Sequence, residues 1–298
     1  MPYSERLFLT ELFNAAVSAA DPKTALSCFL PVKPKGRTVV IGAGKGAAQL
    51  AAAFEELWEG PLSGVVVTRY GFTAPCQHIK VLEASHPVPD AAGLVASAAL
   101  FEAVRDLGPD DLVVALICGG GSSLLPAPVV GLSLDDEIAL NKALLASGAP
   151  ISAMNIIRQQ ISQIKGGQLA RAAAPAKVVS LIVSDVPGDD PAQVASGPTV
   201  GGANGPADAL AAIRTYDIKL PSNIQSFIES LPHTSHEAAQ LAGNEVHIIA
   251  SASKSLEAAA KVAAAHDIPA VILSDAIEGE AREIAKMHAA IAAQIADS

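Results

Sequence analysis

Apolar residues recur in two rhythms along the chain. Short, uninterrupted β-branched runs mark strands buried on both faces, as in a parallel sheet, and Ala- and Leu-rich stretches with helical spacing lie between them. Leu7, Leu9, Leu12, Phe13 and Val17 fall near helical spacing and predict an amphipathic helix over 4–19. After the Pro/Lys/Gly loop at 31–36, the run 37–42 reads as a buried strand. Gly42-Ala-Gly-Lys-Gly46 then opens an Ala-rich helix to about Trp58. Val65–Thr68 and Ile79–Glu83 are strand-like, and Asp90 is placed to cap a helix running to about Arg105. A long apolar strand, Asp111–Cys118, ends in Gly119-Gly-Gly-Ser-Ser123. Helical spacing follows at 134–147 and 151–163. Lys177–Val183 reads as another buried strand, and an irregular stretch rich in Gly, Pro and Asp follows to about Asn204.

Polar spacing loosens over 232–244, where a linker is expected. Beyond it come a strand at Glu245–Ala250, a helix at 253–266, a strand at Ala270–Leu273 and a helix at 279–296. These elements predict a three-layer α/β/α fold with a mostly parallel, Rossmann-like sheet in residues 1–238. Residues 239–298 are expected to begin a second, smaller α/β domain. A two-stranded unit has unpaired edges and little core. It is therefore expected to be cut short, or to lean on the first domain or a partner.

Composition narrows the function classes. Half the residues are hydrophobic, which is enough for a large core, and only 4% are aromatic, so Ala, Val, Leu and Ile must build it. The net charge of -10 repels phosphate backbones and argues against nucleic acid as a partner. No apolar run reaches the roughly 18 residues of a membrane span. No secretory signal is seen at the start, so a cytoplasmic location is expected. Three widely spaced cysteines, Cys28, Cys76 and Cys118, indicate neither a disulfide framework nor a zinc site and are expected to be mostly buried.

Candidate chemistry gathers where strands end, because doubly wound sheets bind ligands outside their carboxyl ends. Gly42 and Gly44 flank a turn leading to Lys45, a cation that opposes the helix dipole unless an anion shares the site. The spacing is not that of a Walker loop. Gly119, Gly120 and Gly121 clear side chains from the next turn, so that an anion could approach the amides there, with the hydroxyls of Ser122 and Ser123 at hand. Asp185 and Asp189 follow the strand ending at Val183; Pro-Gly-Asp-Asp is also an ordinary turn sequence. Asn155, Arg158 and Ser162 share a helix face that would line a cleft or meet water. Lys165, before Gly166-Gly167, would equally suit a solvated helix end. His86 sits in the proline-flanked turn Ser85-His-Pro-Val-Pro89, where it would bind substrate or stabilise the turn.

The series Gly42-Ala-Gly-Lys45, Ser85-His-Pro-Val-Pro-Asp90, Cys118-Gly-Gly-Gly-Ser-Ser123, Ile164-Lys-Gly-Gly-Gln168 and Ser184-Asp-Val-Pro-Gly-Asp-Asp-Pro191, with Ala195-Ser-Gly-Pro-Thr199, resembles type-2 glycerate kinases over most of residues 1–240. That family combines a DUF4147 domain with a C-terminal MOFRL domain, and many members carry the older name hydroxypyruvate reductase. The resemblance implies ATP and D-glycerate as substrates, 2-phosphoglycerate as product and a need for Mg²⁺. It implies Lys45 at the transferring phosphoryl group and the Gly119–Ser123 turn around phosphate or the glycerate carboxylate. It further implies Asp185 and Asp189 as metal or hydroxyl partners, with Asn155 and Lys165 lining the cleft. It also implies a segment of about a hundred residues beyond Ser298 that supplies a catalytic arginine. Gln159-Gln160 depart from the basic or histidine-containing run the family often shows after its Asn helix. An NAD(P)H-dependent hydroxypyruvate reductase and a non-catalytic, truncated binding protein are the alternatives, and the sequence leaves a homodimer open.

Overall fold

The computed structural model describes residues 4–202, 204–232, 241, 243–277 and 279–297. The six strands are β1 (Thr38–Ala43), β2 (Ser63–Arg69), β3 (Ile79–Ala84), β4 (Leu112–Cys118), β5 (Lys177–Val183) and β6 (Glu245–Ala250). They form one sheet in the order β3-β2-β1-β4-β5-β6, with every neighbouring pair parallel. The helices are α1 (Glu5–Ala19), α2 (Pro22–Ser27), α3 (Ala47–Leu57), α4 (Ala91–Ala103), α5 (Gly121–Leu124), α6 (Leu134–Ser147), α7 (Ile151–Gln160), α8 (Gln168–Ala172), α9 (Pro206–Thr215), α10 (Ser222–Ser230), α11 (Ala252–Ala265) and α12 (Ala281–Ala296).

β1 and β4 are buried along their whole length, which explains their unbroken apolar sequence. Side chains alternate between two cores. Val39, Ile41 and Ala43 face one that includes Ala96 and Leu100 of α4. Val40 faces the other, with Leu50 and Phe54 of α3. Each buried Val, Leu or Phe contributes about 1.5–3 kcal/mol, and helices on both faces make the three expected layers. Asp90 caps α4 as expected, its Oδ1 accepting from Gly93 N at 3.0 Å.

A third core joins α6, α7, α9 and α10 through Leu140, Leu144, Ile157, Ile213, Ile224 and Ile228. Sequence periodicity left α9 and α10 unassigned, although Pro206 at the first position of α9 is a start signal. α7 ends at Gln160, short of the expected 163, because Ser162 turns away to bridge Pro128.

The carboxyl-terminal part leans on the first sheet, one of the arrangements the sequence left open. β6 does not open a new sheet; it pairs with β5, Val179 opposite Glu245 and Ile182 opposite Ile248. α11 packs on α1. The sheet therefore runs through the boundary expected at 238/239, and most of the expected linker lies outside the described residues. The strand expected at Ala270–Leu273 does not form. Val271 and Leu273 are exposed there, and a β-branched run makes a strand only where an edge pairs with it. Among the described residues no helix is long and apolar enough to cross a membrane. Of the cysteines only Cys118 is buried.

Candidate active site

Strand order reverses between β1 and β4, and the turns leaving these two strands meet there. Lys45 N donates to Gly119 O at 2.9 Å, and Thr68 Oγ1 donates to Lys45 O at 3.2 Å. The lysine backbone is thus tied to both neighbouring strands. A Cβ on Gly44, at φ +135, would lie 2.3 Å from the Cys118 carbonyl oxygen. Gly42 lies inside β1, and its Cβ would meet Leu116 O at 2.6 Å. Both glycines are buried against β4, so close strand packing, not a ligand, requires them. This corrects their expected place in a binding surface.

Lys45, His86 and Asp185 converge on the triple-glycine turn. Lys45 Nζ lies 3.6 Å from Asp185 Oδ2 with each side chain about half exposed, 45% and 48%. Such a pair adds only about 0–1 kcal/mol to stability. A Cβ on Gly120, at φ +83, would lie 2.9 Å from His86 Nε2 and 3.0 Å from Lys45 Cγ. Partial burial holds the His86 pKa below its ordinary value, helped by the charges of Lys45 and Arg69 and opposed by Asp185. Arg69, at the end of β2, is itself stacked on the Phe72 ring at 3.4 Å.

His86 and Asp185 border a cleft of about 400 Å³; Lys45 does not line it but stands beside it, 3.6 Å from Asp185. His86, Gly120, Ser122, Ser123 and Asp185 line it from the sheet edge, and Asn141, Asn155 and Arg158 line it from α6 and α7. A directed chain of hydrogen bonds ties the two sides together. Ser196 Oγ donates to Asn155 Oδ1 at 2.9 Å, so its single proton is used and the 2.9 Å contact between Ser122 and Ser196 carries the Ser122 proton. Arg158 Nη1 donates to the same Asn155 oxygen at 3.0 Å. Asn155 Nδ2 donates to Gln193 O and Oε1, both at 3.0 Å. Ser123 Oγ donates to Gly120 O at 3.2 Å. Both serine hydroxyls therefore spend their protons within the protein. Of this turn's own donors, those left for an anion are the first-turn amides of α5, not the hydroxyls the sequence suggested.

Asn155 is in the cleft wall, but its four hydrogen-bonding positions are filled by protein groups, so it braces other residues. Lys165 is elsewhere. It is 1% exposed, and its Nζ lies 2.6 Å from Glu137 Oε1 and donates to Leu125 O at 2.9 Å. The expectation that it lines the cleft or meets solvent is corrected: a Gly-Gly sequence marks a turn but not the acid that the turn's lysine meets 28 positions away. The turn itself is used, since Gly166 N and Gly167 N donate to Ser196 O and Gly197 O at 3.0 and 2.7 Å. That clamp holds Ala195 and Ser196 at φ 54 and 62, a left-handed conformation costing about 1–3 kcal/mol per residue. Neither residue carries a sequence signal for it. Asp189 does not line the cleft. Among the described residues no group of three or more His, Cys, Asp or Glu could hold a metal ion.

The fold and site thus define a doubly wound α/β protein with one lysine, one carboxylate and a glycine-cleared helix start at the reversal of its sheet. Residues 8–229 match the family described as "Domain of unknown function (DUF4147)". An Agrobacterium vitis protein named "Putative hydroxypyruvate reductase" is 52% identical over 99% of this chain and 67% of its own length. The "D-glycerate 2-kinase" of Thermotoga maritima is 34% identical over 99% of this chain and 70% of its own. Two solved structures superpose with a TM-score of 0.78 at 34% identity. The PH0495 protein from Pyrococcus horikoshii is covered over 65% of its chain, and a glycerate kinase from Thermotoga maritima over 64%; this chain is covered over 90% and 89%. The chain belongs to the DUF4147 family, and with it to the family of the glycerate kinases. It spans about two thirds of these relatives' lengths.

Proposed function

We propose that this chain carries the phosphoryl-transfer site of an ATP-dependent glycerate 2-kinase, converting D-glycerate to 2-phosphoglycerate. The observation that carries the reading is the meeting of Lys45, Asp185 and the Gly119–Ser123 turn at one sheet edge. The names of the glycerate kinases among the relatives support it. In the reaction the 2-hydroxyl oxygen of glycerate bonds to the γ-phosphorus, the bond to the ADP oxygen breaks, and the hydroxyl proton leaves. Such a transfer relies on positioning and on stabilising charge spread over phosphoryl oxygens. Lys45 supplies the fixed positive charge, and the amides at the start of α5 receive phosphate oxygens. Asp185 either accepts the hydroxyl proton or holds Mg²⁺.

A lone, half-exposed carboxylate fits an ion that arrives with the nucleotide and draws its other ligands from phosphates and water; it does not fit a resident metal cage. Mg²⁺ so held would neutralise phosphate charge. The test is an assay of the 298-residue chain with ATP, Mg²⁺ and D-glycerate, the product identified by phosphorus NMR. Lys45→Ala should lower turnover at least 100-fold, in line with loss of one transition-state charge partner. Undiminished turnover in that variant overturns the reading.

The reductase named among the relatives is the second reading. Arg69 at the end of β2 would suit a 2′-phosphate, whereas a nicotinamide site that reads the bare ribose needs an acidic residue there. Tight NADPH binding with no ATP binding would favour it.

A further inference from the structure

One charge in the cleft is not used by the reaction as described. Arg158 rises from α7, partly buried, and is gripped on two of its nitrogens: Nε donates to Asn141 Oδ1 at 2.8 Å and Nη1 to Asn155 Oδ1 at 3.0 Å. Both partners are neutral amides. Among the described residues no carboxylate lies within ion-pair distance of the guanidinium. Glu137 is the acid whose charge it feels, but Glu137 is held by the buried ammonium of Lys165 at 2.6 Å. Burial pulls the Arg158 pKa down, the sign of a cation paying for desolvation without a full counter-ion.

A guanidinium has five N–H donors, and two are spent. The remaining three belong to a planar fork that two asparagines hold in place, and the residue lines the same cleft as Gly120, Ser122 and Asp185. A fork of this kind matches a carboxylate bidentately, which a lysine could not do. Phosphate already has its own cation in Lys45. The unmatched cation therefore calls for a second anion on the acceptor substrate.

We propose that Arg158 is a specificity-determining residue that binds the carboxylate of a small 2-hydroxy acid, with Asn141 and Asn155 as its positioning residues. The proposal rests on the phosphoryl-transfer reading for the identity of the acid. It names the wall of the cleft on which the acid's carboxylate sits, leaving the hydroxyl turned toward Lys45 and Asp185. Asn155 then links that wall to the phosphate turn, through Ser196 and Ser122.

The test measures binding of D-glycerate, glycerol and a non-hydrolysable ATP analogue to the whole chain by calorimetry. Wild type should bind D-glycerate and discriminate against glycerol, which lacks the carboxylate. Arg158→Gln should weaken D-glycerate at least 50-fold and leave the analogue within about threefold. Arg158→Lys should recover only part of the loss, because charge returns without the fork. The arginine side-chain NMR signals of the wild-type chain provide a readout that needs no variant to fold: the Arg158 Nε resonance should shift on adding D-glycerate but not glycerol. Unchanged D-glycerate affinity in Arg158→Gln, loss of the nucleotide analogue instead, a static Arg158 signal at saturating D-glycerate, or no D-glycerate binding by the wild-type chain would each overturn the proposal. Arg158-dependent glycerate binding without any phosphoryl transfer would sink the kinase reading and leave this assignment standing. Turnover with an indifferent Arg158 would do the reverse.

Discussion

A methyl group on Gly119 would lie 1.8 Å from Oδ2 of Asp185. The glycine leaves room for the carboxylate beside Lys45, and the contact is with the far end of a half-exposed side chain. Gly119→Ala should therefore turn Asp185 aside at little cost to the fold, less than about 1 kcal/mol, while lowering turnover at least tenfold. Gly44→Ala should do the opposite, since its Cβ would strike the Cys118 carbonyl at φ +135 and cost about 3 kcal/mol or more. Denaturant titrations beside activity per folded molecule separate the two. A silent Gly119→Ala would show that the position of Asp185 does not matter.

Lys165 and Glu137 form an ion pair with both side chains almost fully buried. Lys165→Met or Glu137→Gln leaves the other partner without its match, and each should destabilise by about 3–5 kcal/mol. The double substitution should cost less than the sum. Chemical denaturation of the three variants checks this, and additive losses would mean that the pair is not coupled.

His86 should titrate below the ordinary histidine value of about 6.5, because partial burial and the Lys45 and Arg69 charges oppose its protonation. The unfolded chain then takes up this proton first. The histidine's contribution to stability is whole above about pH 6.5, declines as pH falls from there to the folded pKa, and levels off below it. Proton NMR should also show the pKa rising in Lys45→Met, when a neighbouring charge is removed. A wild-type value above 6.5 would contradict the arrangement.

The sheet was legible because parallel strands buried on both faces announce themselves as unbroken β-branched runs. The Lys45 turn and the Gly119–Ser123 turn were legible as candidate chemistry because glycine clusters at strand ends have few other uses. Gly42 and Gly44 misled for the same reason, since strand-to-strand approach also demands glycine. Lys165 could not be placed, because the acid that buries it sits on α6. Whether β6 opens a new sheet or leans on the first is open in the sequence, because pairing with β5 leaves no mark in local periodicity. Arg158 carried only a helical spacing with Asn155, and its grip depends on Asn141, supplied by a different helix.

The most direct measurement of the central claim is a crystal structure of this chain with Mg²⁺, a non-hydrolysable ATP analogue and D-glycerate. The γ-phosphate should rest within hydrogen-bond reach of Lys45 Nζ and the amides at the start of α5, with the 2-hydroxyl of glycerate facing it. A nucleotide bound with its phosphates away from Lys45 and the Gly119–Ser123 turn would contradict the account.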